Sequence, residues 1–320
     1  MDIVVLDGYT LNPGDLSWKD LKSLGTLTVY DKTAADSIFE RAKEAEIVLT
    51  NKTVLTREII ETLPKLRYIG VLATGYNTVD IDAARERDIP VCNIPAYSTD
   101  SVAQLVFAFI LEMAMQTAAH DADVKAGGWC RCEHFCYRVA PITELKGKTL
   151  GIIGFGNIGR KTAEIGAAFG MEIVYTNRSP KTADSPLLKN ARQLPLENLL
   201  ACADFVSLNV PQTEATARMV NSDFIGKMKP GAKLINTGRG GLIDETAVAE
   251  ALRDGRLSGY AADVLSSEPP TPDNPLLSAP NTLITPHIAW QSTEARQRLM
   301  DIAVANVKAF LSGQPQNRVN

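Results

Sequence analysis

Three side chains that lie far apart in the chain have types suited to one chemistry. His287 sits in Leu283-Ile284-Thr285-Pro286-His287-Ile288-Ala289-Trp290, just past an apolar run that reads as a strand. Imidazole carries a proton near neutral pH, so a histidine here suits the donor that reduction of a ketone requires. The other two histidines, His120 and His134, close a helical pattern and lie in a cysteine-rich loop. Arg239 falls in Ile235-Asn236-Thr237-Gly238-Arg239-Gly240-Gly241, where another strand should end. The glycines let backbone come close to a ligand, and a guanidinium can grip a carboxylate with two parallel hydrogen bonds. Glu268 precedes Pro269-Pro270. Alone it reads as an exposed loop acid; paired with His287 it would orient the ring and stabilise its charged form.

The sharpest local pattern is Leu150-Gly151-Ile152-Ile153-Gly154-Phe155-Gly156-Asn157-Ile158-Gly159-Arg160. An apolar strand runs into Gly154-x-Gly156-x-x-Gly159 and a helical pattern follows. The first glycine permits the turn, the second lets backbone approach a pyrophosphate, and the third lets the helix pack on the strand. Unpaired amides and the dipole at the helix start favour the phosphates. The whole stretch from Gly154 through Phe155, Asn157 and Ile158 to Gly159 is therefore expected to bind a dinucleotide.

The end of the next strand should select between cofactors. An acid there usually accepts from the ribose of NAD. This chain has Tyr175-Thr176-Asn177-Arg178-Ser179-Pro180-Lys181 instead. With no carboxylate to repel a 2′-phosphate, and with Arg178, Ser179 and Lys181 able to bind it, NADP(H) is expected to be preferred over NAD(H). The plainer reading makes Arg178 a solvated cation and has Asn177 serve the ribose of NAD. Thr74-Gly75-Tyr76-Asn77 follows another strand and reads either as a small anion-binding concavity or as an ordinary turn. Cys130, Cys132, His134 and Cys136 are zinc-ligand types, but four within seven residues would strain a tetrahedral site, so no metal is expected.

The 320 residues are enough for two domains, and 45% hydrophobic with 22% charged residues is the balance of a chain that can bury a core. A net charge of -4 without a basic block disfavours nucleic acid and anionic membranes as partners. Five cysteines, an odd number, and no visible secretory signal lead to an expectation of reduced thiols and a cytoplasmic location.

Strands are expected at Ile3–Asp7, Leu27–Tyr30, Ile47–Thr50, Tyr68–Leu72 and Val91–Ile94. The pattern restarts with Thr149–Ile153, Glu172–Thr176, Asp204–Leu208, Lys233–Asn236, Tyr260–Asp263 and Thr282–Thr285. Most are continuous apolar runs, as in strands buried on both faces, and helical patterns alternate with them. These include Ala34–Lys43, Thr56–Thr62, Asp80–Arg87, Ile158–Phe169 and Glu245–Arg253. A long helix from Ser101, capped by Thr99, Asp100 or Ser101, should join two α/β units. Its apolar stretch from Val102 to Ala119 carries a polar stripe of Gln104, Glu112 and Gln116. That suits burial in the fold or in a subunit interface better than a membrane span. A final helix from Thr293 to Leu311 could return to the first unit.

The chain resembles the D-isomer-specific 2-hydroxyacid dehydrogenases over nearly its whole length. The resemblance rests on the glycine motif, on Asn236-Thr237-Gly238-Arg239-Gly240, on Asp263-Val264 with Glu268-Pro269, and on Pro286-His287-Ile288-Ala289. Ala73-Thr74-Gly75-Tyr76-Asn77 and Leu6-Asp7-Gly8-Tyr9 look most like the glycerate dehydrogenases, also called hydroxypyruvate or glyoxylate reductases. The resemblance implies two Rossmann-like α/β domains with a cleft between them. One is a flavodoxin-like substrate domain made of residues 1–98 plus 290–320; the other, residues 99–289, binds the dinucleotide. It implies Arg239 on the substrate's carboxylate and carbonyl, His287 as proton donor and Glu268 as its partner. Lys52 and backbone at Thr74 and Gly75 would also face substrate. Cofactor contacts would come from Pro211, Thr216, Thr237, Gly238 and Asp263, the last on the nicotinamide carboxamide. A homodimer through the 101–119 helix is implied as well. Related scaffolds serve phosphite and formate dehydrogenases and nucleotide-sensing co-regulators, which are the rival readings.

Overall fold

Short runs of branched and aliphatic residues become strands because both faces of each sheet are covered. The computed structural model describes residues 1–181 and 185–320. They form two units, Met1–Ser98 with Trp290–Asn320, and Thr99–Ala289.

In the first unit five parallel strands are β1 (Asp2–Val5), β2 (Thr26–Val29), β3 (Ile47–Thr50), β4 (Tyr68–Val71) and β5 (Val91–Cys92), in the order β2-β1-β3-β4-β5. This is the doubly wound order in which the chain starts mid-sheet and winds outward both ways. Side chains alternate between two cores. Ile3, Val5, Ile47 and Leu49 face one, and Val4, Val48, Ile69 and Val71 the other. The helix Thr293–Leu311 covers the former, burying Ala295, Leu299, Met300, Ala303, Val304 and Val307 at the 3–4 spacing of one helix face.

The second unit holds seven parallel strands: β6 (Thr149–Ile153), β7 (Glu172–Thr176), β8 (Arg192–Gln193), β9 (Phe205–Leu208), β10 (Ala232–Asn236), β11 (Leu257–Ala262) and β12 (Thr282–Ile284). Their order is β12-β11-β10-β9-β6-β7-β8. The chain enters at β6, winds one way through β7 and β8, then crosses to β9 and continues outward. The strand order therefore reverses between β6 and β9, the place where open α/β sheets bind ligands.

Several elements depart from the sequence reading. The apolar stretch Val102 to Ala119 is not one helix. A first helix, Thr99–Met115, ends where Gln116 takes a left-handed φ of 51°, and a second, Thr117–Lys125, follows. The cause is Glu112, whose carboxylate accepts from the Ala118 amide (3.2 Å) and from the Thr117 hydroxyl, so it caps the second helix. The first helix already includes Thr99, Asp100 and Ser101, so none of them is its cap; Ser101 donates instead to the Ala289 carbonyl (2.6 Å). Its apolar side buries Val106, Phe107, Phe109, Ile110 and Met113 in the core of the second unit, while Gln104 stays exposed. β5 stops at Cys92, two residues short of expectation. β8 escaped notice because it is two polar, exposed residues at a sheet edge. Among the described residues no single helix is long and apolar enough to cross a membrane; the pair Thr99–Met115 and Thr117–Lys125 meets that length and composition only together, bent by 57°.

Leu299 is fully buried where the last helix meets the first sheet. Leu299→Ala is expected to destabilise the protein by about 2–5 kcal/mol, through lost burial and the cavity left behind. Urea unfolding should read this as a lower midpoint at unchanged slope.

Candidate active site

Parallel register builds the site. In the second unit Ile284 pairs with Ala262, Ala262 with Asn236, Asn236 with Leu208, Leu208 with Ile153, and Ile153 with Thr176. The next residue on each strand therefore falls in one row along the sheet's carboxyl edge: Thr285, Asp263, Thr237, Asn209, Gly154 and Asn177. The catalytic and cofactor candidates of this unit belong to this row or follow it along the chain, whereas the cysteine-rich stretch 130–136 precedes β6 and does not.

Gly154 turns the chain with φ +94°, and a Cβ there would sit 2.5 Å from the Asn209 carbonyl. At Gly159 a Cβ would meet the Gly154 carbonyl at 2.2 Å, so helix and turn touch through backbone. Gly156 is different: a Cβ would point into open space with nothing within 4 Å. The helix Asn157–Ala168 starts here, and its first internal bond is Arg160 N–H to the Gly156 carbonyl (2.9 Å). The amides of Asn157, Ile158 and Gly159 are thus left to an outside acceptor. Open space above Gly156, free amides and a helix dipole fit a dinucleotide's pyrophosphate. The Asn209 Oδ1 and Thr237 Oγ1 atoms are buried at the next two strand ends and have no partner among the described residues. Such groups are costly unless a ligand or water satisfies them. Thr237 had been singled out and Asn209 had not; its only sequence signal was an amide at the end of an apolar strand. The Thr216 hydroxyl donates to the Pro211 carbonyl (2.8 Å) and accepts from the Thr213 amide (2.8 Å), shaping the turn after β9.

Asn177 spends its amide on the protein. Oδ1 accepts from the Phe155 amide (3.1 Å), and Nδ2 donates to the Ser179 carbonyl (2.9 Å). Arg178 and Ser179 follow it on an exposed loop.

Arg239 is exposed, and Nη1 donates to the Gly238 carbonyl (2.7 Å). Its loop is shaped by Asn236, which is fully buried: Oδ1 accepts from the Gly238 amide (3.1 Å) and Nδ2 donates to the Arg239 carbonyl (2.9 Å). A Cβ at Gly240 would lie 1.9 Å from the backbone of Leu265, so this loop is pressed against the one leading to Glu268.

Glu268 and His287 come together. Nδ1 of His287 lies 2.6 Å from Oε2 of Glu268, with the side chains 25% and 38% exposed. Nδ1–H donates to the carboxylate, which leaves Nε2 to carry and deliver a proton. The other Glu268 oxygen accepts from the Leu265 amide (3.3 Å). His287 itself has φ +56°, a conformation that ordinary side chains seldom adopt. Asp263 holds it there. Its Oδ1 accepts from the Ile288 amide (2.8 Å) and the Thr285 hydroxyl (2.5 Å), and its Oδ2 from the Ala289 amide (2.8 Å). The carboxyl is 1% exposed, and burial raises its pKa despite these hydrogen bonds. The resemblance puts Asp263 on the cofactor carboxamide, and in the structure its two oxygens also hold the histidine loop. Glu245 went unnoticed in the sequence. It accepts from the Ser266 amide and hydroxyl and from Asn274, which fixes the 263–274 loop from behind.

The remaining candidates lie in the first unit. Asp7, 7% exposed, accepts from the amides of Asn51, Lys52 and Thr53 at 2.6–2.7 Å. Lys52 is thereby presented on a fixed turn. The Thr74 hydroxyl donates to the Ile94 carbonyl (2.8 Å), and Asn93 donates to the Thr74 carbonyl (2.8 Å). The amides of Thr74 and Gly75 donate to no described group. Cys130, Cys132 and Cys136 are unbridged, and among the described residues no three His, Cys, Asp or Glu side chains cluster as a metal cage.

Residues 107–289 match the family model described as D-isomer specific 2-hydroxyacid dehydrogenase, NAD binding domain. The chain is 45% identical to a hydroxypyruvate reductase of Blautia hydrogenotrophica, over 100% of both chains. It is 38% identical to a glycerate dehydrogenase of Methylorubrum extorquens, covering 91% of this chain and 90% of that one. Among solved structures, an acyclic imino acid reductase in complex with NADPH and D-Arg superposes with a TM-score of 0.87 at 30% identity, over 100% of both chains. A family model spanning more than half the chain, joined by full-length relatives, means that this protein belongs to the D-isomer-specific 2-hydroxyacid dehydrogenases, oxidoreductases that act on a CH–OH group with a nicotinamide cofactor.

Proposed function

We propose that this dehydrogenase reduces hydroxypyruvate and glyoxylate, with His287 as proton donor and NADPH as the preferred cofactor. The observation that carries the assignment is the Glu268–His287 contact, made by the loops after β11 and β12, with Arg239 after the neighbouring β10, on the same sheet edge as the glycine turn. The substrate class is supported by the relatives named hydroxypyruvate reductase and glycerate dehydrogenase.

A reduced nicotinamide supplies the hydride. The protein's own groups do the rest. Arg239 draws charge from the carbonyl as it becomes an alkoxide, which stabilises charge where it develops. His287 delivers the Nε2 proton to that oxygen, while Glu268 keeps the imidazolium oriented through Nδ1–H. In the oxidative direction the same nitrogen removes the hydroxyl proton. Asp263 is proposed to act mainly through the 285–289 backbone. In the first unit, Lys52 and the free amides of Thr74 and Gly75 are proposed to receive the substrate's carboxylate.

The preference for NADPH rests on Asn177, which places no negative charge at the strand end, and on Arg178 and Ser179 beside it. The NADPH-bound imino acid reductase with a closely similar fold is consistent with it. We also propose a homodimer. The helix Thr99–Met115 turns its apolar side into its own unit, so the 101–119 segment offers only a narrow outward stripe. Met115 and, in the segment after it, Val124, Trp129, Phe135, Val139 and Ile142 are exposed apolar side chains of the kind a partner copy covers.

Three measurements test these assignments. His287→Gln should lower kcat for hydroxypyruvate by about a hundredfold or more, in line with general-acid contributions, and a near-normal rate would remove the imidazole from its role. Steady-state kcat/KM should favour NADPH over NADH, and a preference for NADH of about tenfold or more, roughly 1.4 kcal/mol, would overturn the cofactor assignment. Light scattering should give twice the chain mass; the mass of a single chain at micromolar concentration would refute the dimer.

A further inference from the structure

Behind the 177–181 loop stands a set of side chains that touch no part of the reacting centre. Tyr175, the fourth residue of β7, is 5% exposed and stacks on Phe155 with ring centroids 3.8 Å apart and planes 16° from parallel. Phe155 belongs to the glycine turn. The Tyr175 hydroxyl donates to the Lys181 carbonyl (2.8 Å) and so ties down the far end of the loop. Asn177 ties the near end to the Phe155 amide and folds it on Ser179. Gln193 on β8, which pairs with Tyr175, spans both ends. It donates to the Asn177 carbonyl (3.4 Å) and accepts from the Lys181 amide (3.5 Å).

Phenylalanine would fill the space over Phe155 as well as tyrosine does. Burying a hydroxyl adds a desolvation cost that only a hydrogen bond offsets. Here that bond goes to the backbone of the loop carrying Arg178 and Ser179. A loop whose ends are anchored loses less freedom when it meets a phosphate than one that must first be ordered.

We propose that Tyr175 is a positioning residue for cofactor selectivity. Its hydroxyl, with Gln193, holds the 177–181 backbone where Arg178 and Ser179 meet the substituent on the adenosine ribose. This rests on the assignment of that loop to the ribose 2′-position.

The test uses the full-length enzyme and two competitive inhibitors that differ only at that position, adenosine 2′,5′-bisphosphate and adenosine 5′-monophosphate. Tyr175→Phe keeps the ring stack and removes one hydrogen bond. It should weaken the bisphosphate by about fivefold or more while the monophosphate changes by less than about twofold. KM for NADPH should rise accordingly, with kcat at saturating NADPH unchanged, since the lost interaction is made equally in ground and transition states. Gln193→Ala, at an exposed position, should move the inhibitor ratio in the same direction and serves if the buried variant folds poorly. Equal weakening of both inhibitors, or a ratio shifted by less than about threefold in both variants, would mean an ordinary structural role and would overturn the proposal. The two failures read differently. If the unsubstituted enzyme holds both inhibitors equally, the NADPH assignment falls and this proposal falls with it; if it prefers the bisphosphate and neither variant shifts the ratio, only the role of the Tyr175 hydroxyl falls.

Discussion

The parallel register of the second sheet is the constraint on which the rest depends. Six strands end in step, so six residues that are scattered from 154 to 285 in the chain stand side by side. A slip of one residue would turn an entire strand inside out, moving residues such as Val206 and Leu208 away from the core they share. Hydrophobic packing on both faces therefore does more than hold the fold. It sets the position of each functional loop to within a fraction of a residue. A parallel sheet also points every carboxyl end the same way, so the glycine turn, Arg239, Glu268 and His287 share one edge without any further device.

What register leaves undone is completed by buried polar side chains acting on backbone. Asp263 holds the histidine loop, Asn236 folds the arginine loop, and Asp7 holds the 51–53 turn of the first unit. Hydrogen bonds to a charged group contribute about 1.5–3 kcal/mol each, enough to offset an unfavourable backbone angle of about 1–3 kcal/mol. The left-handed conformation of His287 is held in this way. A chain free at 288 and 289 would relax it and swing the imidazole off Glu268. Asp263 is thus inseparable from the histidine even though no hydrogen bond joins the two side chains.

Much of this was legible in the sequence. Strand–helix alternation and the glycine motif identify the fold class because they report burial on two faces and a strand-to-helix turn, both local properties. His287, one of three histidines, and Arg239 stand just beyond apolar runs, whereas Glu268 alone reads as an exposed loop acid and gains a role only beside His287. The supporting residues were harder to see. Asn236, Asn209 and Glu245 act on segments that are distant in sequence or only two or three residues away in backbone terms, and nothing in their type separates them from surface residues. The long apolar stretch after Val102 misled for a related reason. Periodicity measures apolar spacing, whereas the break at Gln116 comes from the Glu112 carboxylate capping the helix beyond it. β8 left no hydrophobic trace because an exposed edge strand of two residues needs none.

Asn177 shows how one substitution of atoms can serve two ends. A carboxylate at this position could still accept from the Phe155 amide, but it has no N–H for the Ser179 carbonyl and would repel it. The loop would open at its first bond, and the tie through the Tyr175 hydroxyl would hold only its other end. The amide keeps both hydrogen bonds and leaves the strand end neutral. Under the proposed cofactor preference, neutrality is what tolerates a 2′-phosphate, while the donated bond places the cation that attracts it. Changing the charge at this position therefore also changes the shape of the loop, and the two effects act on the same cofactor in the same direction.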